Sequence, residues 1–156
     1  MIREIKNDES HQLIDFLRKF APQQTPFVEG NYFKHGKNIA FGFFENNNKL
    51  IGLIRYCIQQ IGIEQGTPPL ILKNIVQVEG KIHVFAVDKD FRNQGIGKKL
   101  QLMVIEDAKK RNCRQLASYS TFNKLENYSV KLRLGFCVQP EIQKDGTRGC
   151  YFLMKL

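Results

Sequence analysis

The order of apolar patterns along the chain predicts one α+β domain, describable also as α/β, in which helices cover the faces of a mixed sheet. Short runs rich in Val, Ile and Phe alternate with runs of helical period, in the order strand, helix, loop, strands, helix, strand, helix and two strands. The length of 156 residues suits a single hydrophobic core. Because no internal repeat or low-complexity linker occurs, we expect one domain over residues 1–156.

The first half of the sequence predicts a strand, a helix and a hairpin. IREIK alternates as a strand does, and ESHQLIDFLRKF places its leucines and phenylalanines on one helical face, with Asp8 or Ser10 as the cap. Residues 21–37 are rich in turn formers, so we expect an irregular or briefly helical segment. NIAFGFFE and LIGLIRYCIQQIG follow as two strands, joined at three asparagines that tolerate the positive φ of a hairpin turn.

The second half begins with a breaker, EQGTPPL, and continues with two β-like runs. These are ILKNIVQVE and KIHVFAVD, and Gly80 between them is expected to form a turn. The period changes to that of a helix over residues 97–112. RQLASYST is then a strand, KLENYSVKLRLG is a helix ending in a glycine cap, and FCVQPEI and GCYFLMKL close the chain around a KDGT turn.

Charge and composition narrow the classes of partner. The net charge of +9, from 24 basic and 15 acidic residues, attracts anions, whether nucleic acid, membrane or a phosphorylated cofactor. Because the chain has no run of five Lys or Arg, no RNA-binding aromatic signature and no finger spacing, we expect no nucleic-acid partner. It has no apolar run of 18 residues and no secretory signal, so we expect a cytoplasmic protein without a membrane span.

The cysteines give no sign of a metal or of a disulfide framework. Cys57, Cys113, Cys137 and Cys150 are scattered, with no CxxC pair and no histidine at ligand spacing. We therefore expect no metal, and thiols that stay reduced in a cytosol.

The stretch VDKDFRNQGIGKK is the strongest local signal. It follows an apolar strand and opens a helix, where backbone N–H groups without intrahelical partners and the helix dipole favour a phosphate. Gly95 and Gly97 leave the backbone open to an anion, and Arg92, Lys98 and Lys99 add positive charge. The Walker A pattern and the dinucleotide fingerprint both fail, because Lys99 and Leu100 stand where those motifs need other residues.

What remains is R-x-x-G-x-G, and here the sequence resembles the GCN5-related N-acetyltransferase (GNAT) family. HVFAVDKDFRNQGIGKKL is similar to that family's acetyl-CoA-binding motif, which stands between a strand and a long helix. A further strand and a helix ending in LGF follow, so the resemblance covers roughly residues 80–137. It implies a mixed, mostly antiparallel sheet of six to seven strands flanked by about four helices, with acetyl-CoA as co-substrate and no metal.

The resemblance also implies a set of cofactor-binding residues. The backbone N–H groups from Gln94 to Lys98 would hold the pyrophosphate, the strand edge before the turn would pair with the pantetheine amides, and Asn123 would contact the pantetheine arm. Lys131 departs from the family pattern and joins the set through its charge, as a candidate to stabilise the leaving thiolate or to meet the coenzyme's phosphates. The full set is Phe85, Ala86, Val87, Arg92, Asn93, Gln94, Gly95, Ile96, Gly97, Lys98, Asn123 and Lys131.

The family reaction is direct attack of an amine on the acetyl thioester, which requires an amine that has lost its proton. His83 is one candidate base, because spacing of this kind is similar to that of serotonin (arylalkylamine) N-acetyltransferases and a histidine titrates near neutral pH. Glu79 is the second candidate. The family has a tyrosine that acts as the acid at the position of Lys131. Tyr128, one helical turn earlier, is the candidate for that role here. Each has a purely structural alternative: His83 packed in the sheet, Glu79 solvated, and Tyr128 covering the edge of the core.

The leading hypothesis is a cytoplasmic N-acetyltransferase, monomeric or homodimeric, that acetylates a primary amine of a small molecule or protein. A second is a non-catalytic acyl-CoA-binding sensor or interaction module on the same fold. A third is a nucleic-acid binder that uses the +9 surface.

Overall fold

The computed structural model describes residues 1–29, 36–122, 124–142, 146 and 148–156. Its main sheet has seven strands in the order β1-β2-β3-β6-β7-β9-β8, and a separate hairpin is formed by β4 and β5. All neighbouring strands are antiparallel except β6 and β7, which are parallel. The strands are β1 (Ile2–Glu4), β2 (Lys37–Phe44), β3 (Leu50–Gln60), β4 (Ile71–Leu72), β5 (Ile75–Val76), β6 (Val78–Val87), β7 (Gln115–Thr121), β8 (Cys137–Ile142) and β9 (Arg148–Lys155).

Helices cover both faces of the sheet, as the sequence predicts. The four helices are α1 (Ser10–Phe20), α2 (Pro26–Glu29), α3 (Ile96–Lys110) and α4 (Leu125–Arg133). Successive strand residues point to opposite faces. Leu53 packs with α1 and α2 in one buried cluster, whereas Ile54 packs in the other, which α3 and Tyr128 of α4 share. The sheet therefore separates two apolar cores, and β6 contributes to both.

Strand β6 contains a β-bulge next to the centre of the sheet. Arg55 of β3 lies opposite Val84, and Tyr56 lies opposite Ile82, so His83 is the additional residue. A bulge bends its strand and increases the local twist. The two ends of β6 therefore run in different directions.

The parallel ladder between β6 and β7 ends at this bulge. The last pair is Ile82 with Ser118, although β6 continues to Val87 and β7 continues to Thr121. Within the described residues the two strands thus separate beyond Ser118. From residue 84 onward, the backbone edge of β6 on that side therefore forms no ladder with β7.

Three local expectations are wrong. Gly80 does not turn the chain: it lies within β6, and a Cβ there would stand 2.6 Å from Leu116 Cδ2, so this strand position has no room for a side chain. The run ILKNIVQVE is not one strand, because Lys73 and Asn74 adopt positive φ and fold β4 and β5 into a hairpin.

The third expectation concerned the start of α1. Neither Asp8 nor Ser10 caps it: Glu9 is the cap residue, and no side chain hydrogen-bonds to the helix start. The irregular segment expected over residues 21–37 contains a 3-10 turn at Pro22–Gln24 and the short α2. Residues 30–35 and most of the expected KDGT turn lie outside the described residues.

Three further observations bear on the expected partners. None of the helices in the described ranges is long and apolar enough to cross a membrane. The same ranges contain no group of three His, Cys, Asp or Glu side chains arranged to bind a metal. All four cysteines are free thiols, and only Cys137 is exposed.

Candidate active site

The glycine turn between β6 and α3 forms a cradle of backbone N–H groups. The Asp88 side chain accepts a hydrogen bond from the Asp90 N–H at 3.1 Å and thereby starts the 3-10 turn Lys89–Phe91. Asn93 and Gly95 then take positive φ values of 62° and 76°, and α3 begins directly after Gly95. The first N–H groups of a helix have no intrahelical acceptor and carry the positive end of the dipole. The turn therefore presents an anion site to solvent.

The two glycines of the turn serve different purposes. A Cβ on Gly97 would stand 3.0 Å from Phe85 Cζ, so glycine lets the first turn of α3 approach β6 closely. A Cβ on Gly95 would meet nothing within 4 Å, so what this position requires is its left-handed backbone. One glycine sets the packing of the cradle and the other sets its shape.

Positive side chains surround the cradle. Arg92 Nε donates to the Val87 carbonyl at 3.3 Å, which ties the turn to the end of β6. Gln94, Lys98 and Lys99 are exposed, while Ile96 anchors the helix start in the core. The arrangement attracts an anion and leaves it accessible from solvent.

The backbone edge of β6 leads from this cradle towards the bulge. Phe85, Ala86 and Val87, predicted to pair with a pantetheine arm, lie on the part of β6 that has separated from β7. A ligand that enters between the strands can hydrogen-bond to that edge as an added strand would. Asn123, predicted to contact the same arm, lies outside the described residues.

His83 is the bulged residue itself and is partly buried. Burial lowers the pKa of its imidazole to about 2, and the positive charges of Lys81 and Arg55 contribute to that shift. The imidazole is therefore neutral at physiological pH. In the free protein it is a much weaker proton acceptor than a histidine in water.

Glu79 is buried at the closed end of the split. Gln59 Nε2 donates to its carboxylate at 3.2 Å, and Gln115 Nε2 donates at 2.7 Å. Ile82, where the strands part, is three positions after Glu79, which corresponds to about 10 Å along the strand. Gly80 does not break β6 between Glu79 and Lys81, so these two residues share one face of the strand.

Lys81 belongs to a cluster that the sequence did not reveal. Its Nζ lies 2.7 Å from the Glu64 carboxylate and hydrogen-bonds to the Tyr151 hydroxyl, which in turn donates to Glu64 at 3.2 Å. Burial lowers the pKa of Lys81, but Glu64 and Tyr151 more than offset that, so the net shift is upward. Lys81 is therefore a fixed cation beside His83.

Lys131 is the most unusual group near the split. It is 1% exposed, yet among the described residues its Nζ hydrogen-bonds only to two hydroxyls, Ser118 Oγ at 2.7 Å and Ser120 Oγ at 2.9 Å; it also lies 4.6 Å from the centre of the Phe152 ring. Burial, with a smaller contribution from the charge of Lys81, lowers its pKa to about 7. At neutral pH the charged and neutral forms of this amine are therefore both populated.

Tyr128 and Lys131 meet at one residue of β7. The Tyr128 hydroxyl donates to the Ser120 carbonyl at 2.9 Å, while Lys131 donates to the Ser120 hydroxyl. Burial is the main cause that raises the pKa of Tyr128 to about 12. Tyr128 and Lys131 thus both contact β7 beyond the point where it separates from β6. The Lys131 ammonium, with the lower pKa, is the stronger acid of the two.

Several of these contacts have no signal in the sequence. Lysines rarely lie buried without a carboxylate partner, so the burial of Lys131 was not predictable from its type. Gln24 was also overlooked: its side chain reaches the backbone of Phe85, and the two residues are 61 positions apart.

Comparison with known proteins assigns the family. The model of a family described as the acetyltransferase (GNAT) family matches residues 3–136. This chain belongs to the GNAT family. The resemblance identified around Arg92, Gly95 and Gly97 is thereby confirmed for the family as a whole, and the chain is an N-acetyltransferase by family.

Solved structures show the same GNAT fold at low identity. Arabidopsis thaliana NAA60 in complex with acetyl-CoA has a TM-score of 0.76 and 16% identity, with 100% of this chain and 98% of that chain covered. The ribosomal-protein-S18-alanine N-acetyltransferase from Escherichia coli has a TM-score of 0.66 and 17% identity, with 100% and 92% covered. No curated protein matches at a significant level. The mixed, mostly antiparallel sheet with four helices is confirmed.

Proposed function

We propose that this GNAT protein transfers the acetyl group of acetyl-CoA to a primary amine of a small molecule or protein, by direct attack within a ternary complex. The observation that carries the proposal is that β6, which β7 no longer pairs beyond Ile82, leads directly into the anion cradle at the start of α3. A pyrophosphate fits the cradle, and an extended amide-bearing arm fits the open strand edge. The structural neighbour with bound acetyl-CoA supports the same cofactor.

In this proposal the cofactor lies along residues of the turn and of β6. The N–H groups from Gln94 to Lys98 bind the pyrophosphate, with Arg92, Asn93 and Lys98 at its border. Phe85, Ala86 and Val87 pair with the pantetheine arm, and Asn123 contacts the arm. The sulfur then lies near the point where the strands part.

The acceptor amine must arrive at the thioester with a free lone pair. Lys81 and Arg55 are the two cations that contribute to the lowered pKa of His83. Their positive charges lower the pKa of a nearby amine in the same way. This field supplies part of the deprotonation, and the remaining proton goes to His83 or to water. His83 and Glu79 stay predictions for the base. The likeness of the spacing around His83 to that of serotonin (arylalkylamine) N-acetyltransferases also stays a prediction.

The leaving group, the thiolate of coenzyme A, receives its proton from Lys131 in this proposal. When the amine nitrogen bonds to the carbonyl carbon, the C–S bond breaks and the electron pair leaves with sulfur. A charged Lys131, with a pKa of about 7, is matched to donate a proton to a thiolate whose conjugate thiol has a pKa of about 8.5. Tyr128 is the second candidate for this role.

Isothermal titration calorimetry tests the cofactor part of the proposal. Wild-type protein is expected to bind acetyl-CoA, and no binding at high micromolar acetyl-CoA would exclude both the transferase and the sensor. A thiol-release assay over a panel of amines then separates these two. Amine-dependent release of coenzyme A supports the transferase, whereas binding without release on any amine supports the sensor.

A further inference from the structure

The side chain of Gln24 pairs with both backbone groups of one residue in the split. Its Oε1 accepts a hydrogen bond from the Phe85 N–H at 3.0 Å, and its Nε2 donates to the Phe85 carbonyl at 3.3 Å. A carboxamide in this position makes the same two bonds that a peptide unit of an added strand makes. Gln24 thus completes the edge of β6 at this residue.

These bonds lie on the side of β6 that faces the split. Phe85 lies opposite Ile54 in the antiparallel pair with β3. In such a pair, opposite residues either exchange both backbone bonds or point both groups away from each other. Because Phe85 gives both groups to Gln24, these groups point away from β3, into the space that β7 has left. Gln24 therefore occupies backbone groups on the edge assigned above to the pantetheine arm.

We propose that Gln24 competes with the acyl-pantetheine arm for the backbone of Phe85, and that its displacement limits the affinity for acetyl-CoA. The inference rests on the proposed function. In the free protein the carboxamide satisfies an N–H and a C=O that no strand covers, which avoids the cost of leaving them unpaired. On binding, an amide of the arm takes these groups: its carbonyl accepts from the Phe85 N–H, its N–H donates to the Phe85 carbonyl, and Gln24 turns away from them.

The chain just after Gln24 contacts a cation that acts on His83. Gln24 is the last residue of the 3-10 turn Pro22–Gln24, which leads into α2. The α2 residue Phe27 accepts a hydrogen bond through its carbonyl from Arg55 Nη1 at 2.7 Å, and Arg55 is one of the cations that act on His83. Gln24 and the residue that contacts Arg55 thus belong to one short segment, residues 24–27.

The test compares whole coenzyme A with a fragment that lacks the arm. Gln24→Met keeps the length of the side chain and removes both hydrogen bonds, and Gln24→Asn is too short to reach Phe85. Gln23→Met changes the exposed neighbour on the same turn and serves as the matched control. Each protein is titrated by calorimetry with coenzyme A and with adenosine 3′,5′-diphosphate, which carries a nucleotide end but no pantetheine.

The expected result is specific to the arm. Both Gln24 variants should bind coenzyme A about 3- to 30-fold more tightly than wild type, the range expected when one or two competing hydrogen bonds are lost. Binding of the fragment should not change, and Gln23→Met should match wild type with both ligands. Unchanged or weaker binding of coenzyme A in folded Gln24 variants, with normal binding of the fragment, would overturn the inference. Failure of the wild type to bind coenzyme A would instead refute the proposed function.

Discussion

Replacing Lys131 with methionine should make the protein more stable at low pH while slowing its chemistry. Lys131 is 1% exposed, and in the part of the chain that the structure describes its amine hydrogen-bonds only to the hydroxyls of Ser118 and Ser120. Burial, then Lys81, lowers its pKa from 10.5 to about 7. At about 1.4 kcal/mol per pKa unit, the charged form is disfavoured by at most about 5 kcal/mol. Methionine has a similar length and removes the charge.

The pH dependence gives the sign of the effect. Between about pH 7 and 10.5 the unfolded chain keeps a proton on Lys131 that the folded protein has released. Folding stability contributed by this residue therefore rises with pH in that window, and below pH 7 the full penalty of the buried charge applies. The advantage of Lys131→Met should thus be largest at pH 6 and decrease by about 2–3 kcal/mol by pH 9.

Urea denaturation at pH 6, 7, 8 and 9 measures this difference, with Lys110→Met, an exposed lysine on α3, as the control. The control should parallel wild type at every pH. A variant less stable than wild type at pH 6, or a difference that does not change with pH, would refute the reasoning. In the thiol-release assay at pH 7 the same variant should lose about 10²- to 10⁴-fold in kcat, the usual contribution of a positioned acid.

Three further predictions concern the turn, the core and the base. Gly95→Ala should lower the free energy of unfolding by about 1–2 kcal/mol, because Gly95 has a positive φ, and should also weaken acetyl-CoA binding in calorimetry. Gly146 has a positive φ and equally open surroundings, so the control Gly146→Ala should lower stability alone. Tyr56→Phe removes a hydrogen bond to the Asp107 carboxylate, so urea denaturation should show a loss of about 1.5–3 kcal/mol with acetyl-CoA affinity unchanged; weaker binding would contradict the assignment of Tyr56 to the core. His83→Ala should lower kcat at least about 10²-fold if His83 accepts the proton, and an unchanged rate would remove it as the base.

The sequence predicted the parts of the fold that depend on local patterns. The apolar runs of β2 and β3, the helical period of α3 and the two glycines of the turn are local signals, and each stands where expected. Gly80 was wrongly predicted to turn the chain. In β6 it instead leaves space for the Leu116 side chain, and the sequence does not distinguish these two uses of a glycine. The β4–β5 hairpin was missed because Lys73 rarely adopts positive φ and carries no turn signal.

The candidate site was predictable only where a contiguous motif carries it. The cradle from Arg92 to Lys98 is such a motif. The contacts of Lys131 with β7 and of Gln24 with β6 join residues that are distant in sequence, and they depend on the bulge at His83 that separates the two strands. A bulge has no reliable sequence signature, so the shape of the opening and the groups that line it required the structure.

Transfer of a labelled acetyl group tests the central claim most directly. The protein is incubated with acetyl-CoA that carries an isotope-labelled acetyl group and with a panel of arylalkylamines, aliphatic amines and peptides with free amino groups, and the products are identified by mass spectrometry. The account predicts at least one amine that carries the labelled acetyl group on nitrogen, formed together with free coenzyme A and at a rate that falls in Lys131→Met. Binding of acetyl-CoA with no labelled amide from any amine would contradict it.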